Sequence, residues 1–178
     1  AIDDGSINAN HCQTLYPGTR DALLRMNHWN FATARAVLQQ NVVPPLSDYV
    51  YAYTLPADCL KIREYNGGPV NTAGYTSWHG GWWQRYSIEG RNLLTNDSTA
   101  YIVYTARVED CNIWDPLFYQ TCATWLAGKL ADAIPKDGKK SSALIHEAMT
   151  LHLPAALAAD GQEGTVLPFI VDDLTRGR

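Results

Sequence analysis

The residues whose types could support chemistry are few and lie far apart. The five histidines are His11, His28, His79, His146 and His152. Only the last two share a predicted helix, where a separation of six residues places them on different sides, so they could not bind one metal ion together. No phosphate-binding G-x-x-x-x-G-K-[ST], zinc-binding H-E-x-x-H or nucleophile-bearing G-x-S-x-G pattern occurs. The sequence therefore predicts no enzyme active site, no cofactor and no metal site.

The other polar candidates have ordinary structural explanations. Ser141 and Ser142 precede a helical pattern, where a serine hydroxyl commonly caps the first turn. Asp172 and Asp173 could bind a cation, but a solvated chain end explains them equally well. The four cysteines are not paired as C-x-x-C, and each falls in an apolar pattern. We expect Cys12, Cys59, Cys111 and Cys122 to be buried free thiols in a reducing compartment.

Composition narrows the class of protein. The 178 residues suit one domain, and they are 46% hydrophobic and 18% charged. A net charge of −4 argues against a general nucleic-acid binder, which usually has a basic face. No apolar run reaches the ~20 residues of a membrane span, and no signal peptide opens the chain. Six tryptophans and ten tyrosines leave a large aromatic surface to bury, either in a core or against partners.

The strongest element is a predicted core helix over residues 115–134. Asp115 can accept hydrogen bonds from the free amides of the first turn, and Pro116 suits the first helical position. Small residues, including Ala127 and Gly128, would let a neighbouring helix come close. The apolar residues recur at helical spacing: Phe118, Cys122, Trp125, Leu126, Leu130 and Ala133.

Further helices are predicted on both sides of this one. Residues 6–26 read as a helix in which Pro17 produces either a kink or a division into two helices, with Ile7 and Met26 among its buried residues. A second helix fits residues 30–40, and a third runs from 141 or 142 to 159 with a kink at Pro154.

Between the helices the period changes to that of strands. Alternating residues predict strands over 49–55, 59–65 and 100–108, and a hairpin joins 85–89 to 93–95 through Gly90. The fold class is therefore α+β. Both ends of the chain form a helical bundle, into which an antiparallel β module is inserted at about residues 47–110.

Two segments are candidates for recognition. A loop over residues 66–83 carries Tyr75, Trp78, Trp82 and Trp83, which could form a protein interface, stack on a sugar, or fold over their own module. The segment 163–178 has an apolar cluster that no helical face could hide, because Pro168 breaks the period. We expect an extended tail that docks on a partner or a neighbouring subunit, or else folds back on its own domain. Its candidate docking residues are Val166, Leu167, Phe169, Ile170 and Val171.

Three groups of segments together carry a family resemblance. The first is Arg20-Asp-Ala-Leu-Leu-Arg25, His28-Trp-Asn-Phe-Ala32 and Arg35-Ala-Val-Leu38. The second is Tyr51-Ala-Tyr-Thr-Leu-Pro-Ala-Asp-Cys-Leu-Lys-Ile62, Ile88-Glu-Gly-Arg91 and Leu93-Leu-Thr95. The third is Asp115-Pro-Leu-Phe118, Leu126-Ala-Gly-Lys-Leu-Ala131 and Ala159-Asp-Gly-Gln-Glu163. In this order they resemble the head-to-tail adaptor family of short-tailed bacteriophages, also called tail tubular protein A, over about residues 8–163.

The resemblance implies a structural virion protein and not an enzyme. Residues 1–162 would be the adaptor domain. The loop 66–83 and the tail after residue 163 fall outside the resemblance, so the expectation that 163–178 is a docking tail depends on its apolar cluster alone. Twelve copies would form a homo-oligomeric ring at the head–tail junction, between the portal protein and the tail nozzle protein, after assembly in the host cytoplasm. DNA would pass through the lumen without specific binding, and a mildly acidic chain suits this because a basic wall would hold the phosphates.

Two other functions remain open from the residues alone. One is a carbohydrate-binding tail or baseplate module that uses the Trp-rich loop, and the other is a small hydrolase without a recognisable motif. A ring in native mass or negative-stain images favours the adaptor, whereas a monomer that depends on sugar favours the carbohydrate-binding module.

Overall fold

A computed structural model describes residues 5–46, 48–66, 68–69, 75–77 and 83–163, of which 68–69, 75–77 and 83–85 are described by their backbone alone. The helices are α1 (Ile7–Met26), α2 (Pro116–Ala133), α3 (Gly138–Glu147) and α4 (Leu153–Gln162). The strands are β1 (Thr33–Val37), β2 (Gln39–Gln40), β3 (Tyr51–Thr54), β4 (Cys59–Tyr65), β5 (Gly68–Pro69), β6 (Tyr75–Ser77), β7 (Trp83–Glu89), β8 (Asn92–Thr95) and β9 (Tyr101–Ala106). The predicted α+β class is confirmed.

The strands form two antiparallel sheets. One has the order β1-β9-β4-β5 and the other the order β2-β3-β8-β7-β6. The predicted strands at β3, β4 and β9 and the predicted hairpin of β7 and β8 are confirmed. Side chains from both sheets meet in one apolar cluster, here called the β core, so the sheets pack face to face. Its residues are Leu38, Tyr53, Leu55, Cys59, Ile62, Tyr65, Tyr86, Leu93, Ala100, Ile102, Tyr104 and Ala106.

The predicted second helix over residues 30–40 is wrong. Only Asn30–Ala32 is helical, as a short 3₁₀ turn, and the chain then continues as β1 and β2. Strand β1 pairs along its whole length with β9, from Thr33 opposite Thr105 to Val37 opposite Tyr101. Alanine and arginine favour a helix locally, but a complete ladder with a distant strand supplies hydrogen bonds that override this preference. The β module therefore begins at Thr33, earlier than the predicted residue 47.

The predicted central helix is confirmed in α2. The Asp115 carboxylate accepts hydrogen bonds from the backbone N–H groups of Leu117 and Phe118 at 2.8 and 3.0 Å. Gly128 lets α3 approach so closely that an added Cβ would lie 2.8 Å from Cγ1 of Ile145. A second cluster, here called the helical core, joins α1, α2 and α4 to the turn after α1. Its buried residues are Leu23, Leu24, Trp29, Ala32, Trp114, Phe118, Cys122 and Ala156.

Aromatic rings connect the start of the β module to α2. The ring centroids of Trp29 and Phe31 each lie 4.9 Å from that of Phe118, in edge-to-face geometry. On β4, Leu60 packs against the helical core, whereas Ile62 belongs to the β core. The sheet that contains β4 therefore lies between the helices and the other sheet.

Other local predictions need correction. Asp137, and not a serine, caps α3, because its side chain accepts a hydrogen bond from the N–H of Lys140. The helix α1 continues through Pro17, so two separate helices do not form. Before Pro154 the helical run widens into a π turn at Ala148–His152, which keeps the chain helical despite the missing proline N–H. Ile7 and Met26, predicted to be buried, are 75% and 49% exposed.

Candidate functional site

The most unusual surface of the described chain is a run of exposed apolar residues between β2 and β3. We call residues 42–46 the apolar arm; its sequence is Val-Val-Pro-Pro-Leu. Val42 and Leu46 are fully exposed, and Val43 is 76% exposed. Single exposed apolar residues are common on proteins, but a continuous run of them usually marks a binding surface.

Hydrogen bonds fix the chain on both sides of the arm. On the first side, the N–H of Asn41 donates to the Ala52 carbonyl at 2.8 Å, and the Thr54 hydroxyl donates to the Asn41 side-chain oxygen at 2.6 Å. On the second side, the N–H of Val50 donates to the Asn96 side-chain oxygen at 3.0 Å. The chain is thus held to β3 directly before the arm, and to the residue after β8 four residues beyond it.

The composition of the arm further limits its conformations. Two successive prolines fix their own φ angles and push the residue before each of them towards extended backbone. A chain with few accessible conformations loses less entropy on binding, which raises its affinity for a partner. The arm therefore presents its apolar side chains in a largely preorganised form.

The arm borders a concave groove of about 960 Å³. Its opposite wall includes Ala52 and Thr54 of β3, Glu89 of β7, and Asn92 and Leu94 of β8. Glu89 is the one ionisable side chain among the described residues that line it. This groove is suited to binding a peptide or protein surface, because the rest of that lining consists of apolar and uncharged polar side chains.

The described residues show no activated group elsewhere. Within the described ranges, no group of three or more His, Cys, Asp or Glu side chains could hold a metal ion. All four cysteines are free thiols; Cys59 and Cys122 are buried as predicted, whereas Cys111 is exposed. Burial raises the pKa of both Cys59 and Cys122 to about 11, which keeps them as unreactive thiols at neutral pH.

Several residues that the sequence suggested for chemistry have structural roles. His152 lies 3.2 Å from the Glu147 carboxylate. Ser142 donates a hydrogen bond to the Gly138 carbonyl within α3. The side chain of Asp58, in the turn before β4, accepts a hydrogen bond from the Tyr104 hydroxyl at 3.2 Å.

The recognition segments predicted from the sequence fall largely outside the described residues. The backbones of Tyr75 and Trp83 lie in the antiparallel pair β6–β7, where Ser77 is opposite Trp83. Trp78 and Trp82 lie outside the described residues, so the interface predicted for this loop stays a prediction. The same holds for the tail residues, which are Val166, Leu167, Phe169, Ile170 and Val171.

From the sequence alone, the paired prolines predict that residues 41–48 form an extended linker. The available signal was that five consecutive residues of that linker, 42–46, carry no polar side chain. Among the described helices, none combines the length and the apolar character needed to cross a membrane. A scan against protein-family models gives no match, and no curated protein matches the sequence.

Proposed function

We propose that this chain is a head-to-tail adaptor of a short-tailed bacteriophage, a structural virion protein and not an enzyme. In this proposal it forms a homo-oligomeric, dodecameric ring between the portal protein and the tail nozzle protein, and DNA passes through the lumen. Both ends of the chain form its helical bundle, around the inserted β module, and the extended tail docks on the portal. The observation that carries the proposal is the exposed apolar arm, with hydrogen bonds that hold the chain on both sides of it.

The arm suits a repeated subunit contact for a physical reason. Burying a valine or leucine side chain contributes about 1.5–3 kcal/mol, so Val42, Val43 and Leu46 together could stabilise each contact by several kcal/mol. A contact between two different surfaces of one chain closes into a ring when the rotation allows it. In a closed ring every subunit makes this contact twice, once with each neighbour.

Charge also supports the proposal. The chain has 14 basic and 18 acidic residues, so it carries no general attraction to DNA phosphates. A ring built from such subunits would let DNA slide through its lumen, whereas strong or specific binding to the phosphates would hold the DNA in place.

The test compares the assembly of two matched variants. The arm variant combines V42S, V43S and L46S, which should leave the fold intact because all three side chains are exposed. The control combines I7S, I113S and L151S, which are 75%, 56% and 61% exposed and lie outside the arm. We expect rings of the unchanged protein and of the control in native mass measurements and negative-stain images, and monomers of the arm variant with an unchanged circular dichroism spectrum.

Rings that persist in the arm variant would contradict the role of the arm. A protein that stays monomeric at high concentration, alone and with portal and nozzle proteins, would contradict the adaptor function itself. Binding of a glycan by such a monomer would favour a carbohydrate-binding module instead.

A further inference from the structure

A second concave site lies where β4 meets the β7–β8 hairpin, beside the end of α1. It has a volume of about 300 Å³, and we call it the basic pocket. Its walls include three cations from three parts of the chain, Arg25, Lys61 and Arg91. The apolar part of the lining includes Leu55, Ile62 and Tyr86, which are buried side chains of the β core.

None of the described residues that line this pocket is an Asp or a Glu, although the charge of Asp58 acts on Cys59 in the lining. Within the described ranges, Arg25 and Lys61 form no salt bridge, and Arg91 donates to the carbonyl of Pro56. Three exposed cations close together on a chain of net charge −4 form a site for an anion.

The apolar lining specifies what kind of anion would fit. A small inorganic anion would pair with the three cations but would bury no apolar surface against Leu55, Ile62 and Tyr86. Burial raises the pKa of Cys59, which also lines the pocket, to about 11, so a charged group is disfavoured against the apolar lining, here called the floor. The carboxylates of a ligand would therefore lie beside the three cations, here called the rim. The matching ligand is a peptide with apolar residues followed directly by acidic ones.

The chain itself contains such a peptide. Residues 169–173 read Phe-Ile-Val-Asp-Asp. Apolar side chains for the floor and two carboxylates for the rim thus occur in the order that the pocket requires.

The described end of α4 lies close enough for this peptide to reach the pocket. The Asp160 carboxylate accepts from the N–H of Asn30 at 2.8 Å, and its charge acts on Arg63 of β4. Desolvation, and then the charges of Arg63 and Lys61, lower the pKa of His28, which places both cations beside that histidine. About nine residues separate the end of α4 from Asp172, and an extended chain of that length spans about 30 Å.

We propose that residues 169–173 of the free chain dock in the basic pocket of the same molecule. Ile170 and Val171 cover its apolar floor, and Asp172 and Asp173 pair with the cations of its rim. This contact does not depend on ring assembly, and it gives the tail a site on its own subunit before any partner is present.

Hydrogen exchange of the full-length chain tests the proposal through the backbone amides of residues 169–173. We expect slowed exchange in the unchanged protein, and exchange faster by roughly threefold to tenfold in K61E/R91E, because two exposed charge pairs are reversed. D172K/D173K should show the same loss. Combining all four substitutions restores opposite charges and should restore protection. K139E makes a charge change of the same sign on α3, away from the pocket, and should leave the protection unchanged.

Each other outcome overturns the proposal. Unprotected amides in the unchanged protein, or protection that K61E/R91E leaves intact, would show that the tail does not use this pocket. Protection that disappears on dilution would show that the tail of a second copy occupies it. Ring assembly is measured separately by native mass, so failure of the adaptor function and failure of this contact give different results.

Discussion

The two cores of this protein bury aromatic rings in different ways. In the helical core the buried rings are Trp29, Trp114 and Phe118, and they pack edge to face. Each indole N–H donates to a backbone carbonyl: that of Trp29 to Leu23 at 3.0 Å and that of Trp114 to Val108 at 3.2 Å. The stability of this core therefore depends on how closely its rings fit together, and none of the contacts just described involves a charged group.

In the β core the buried rings are tyrosines, and three of their hydroxyls, those of Tyr53, Tyr65 and Tyr104, donate to aspartates. Tyr65 donates to the Asp97 carboxylate at 2.6 Å and also lies 2.9 Å from the Thr95 hydroxyl. Tyr53 donates to the Asp97 carbonyl at 2.9 Å, and Tyr104 donates to Asp58. Burial is the main cause that raises the pKa of Tyr104 to about 12, so this ring stays a donor at neutral pH.

Buried aromatic rings are therefore stabilised in two different ways in this protein: by close packing in the helical core and by hydrogen bonds of their hydroxyls in the β core. Loss of volume should damage the helical core most, since its rings fill space against one another. Loss of a hydrogen-bond acceptor should damage the β core most, because a buried hydroxyl without a partner is costly.

The largest expected effect tests the dependence of the helical core on shape. Phe118 is fully buried and touches both Trp29 and Phe31, so F118A should destabilise the protein by about 3–5 kcal/mol. Its neighbour Tyr119 is 55% exposed, and Y119A should cost under about 1 kcal/mol. Urea unfolding followed by circular dichroism measures both. Equal losses in the two variants would contradict this view of the helical core.

The next effect tests the hydrogen bonds of the β core. D97A removes the charged acceptor of Tyr65 but leaves the Thr95 hydroxyl as its other partner, and it should cost about 1.5–3 kcal/mol, the range for a hydrogen bond to a charged group. D132A removes an exposed aspartate from α2 and serves as the control, with little expected change. In a double-mutant cycle with Y65F, the two losses should be smaller together than their sum. If the losses simply add, Tyr65 and Asp97 are not coupled, and the proposed difference between the cores is reduced.

The smallest effect sharpens the comparison at helix contacts. G128A should destabilise by about 1–2 kcal/mol, because the new methyl group meets Ile145 at 2.8 Å and its backbone nitrogen at 3.1 Å, which outweighs the gain in helix propensity. In α1, Gly18 has open space around its Cβ position, so G18A should stabilise by up to about 1 kcal/mol. Thermal unfolding distinguishes the opposite signs. A stabilising G128A would show that α2 and α3 separate without cost.

The sequence by itself determined the elements whose signals are local. The cap at Asp115, the alternating sequence around β3 and the turn between β7 and β8 depend on residues that are neighbours in the chain. Such signals survive without knowledge of the rest of the fold, because a capping bond or a tight turn closes within a few residues. The α+β class followed from them.

Only the tertiary structure decided the features that depend on distant partners. Residues 33–37 became a strand because β9 offers them a complete ladder from 64 or more residues away. The residues that flank the apolar arm, Asn41 and Val50, form hydrogen bonds with Ala52 and Asn96, which no local pattern indicates. The basic pocket likewise gathers Arg25, Lys61 and Arg91 from separate elements. A sequence records which side chains are present, but long-range pairing decides which of them meet and which are left facing water.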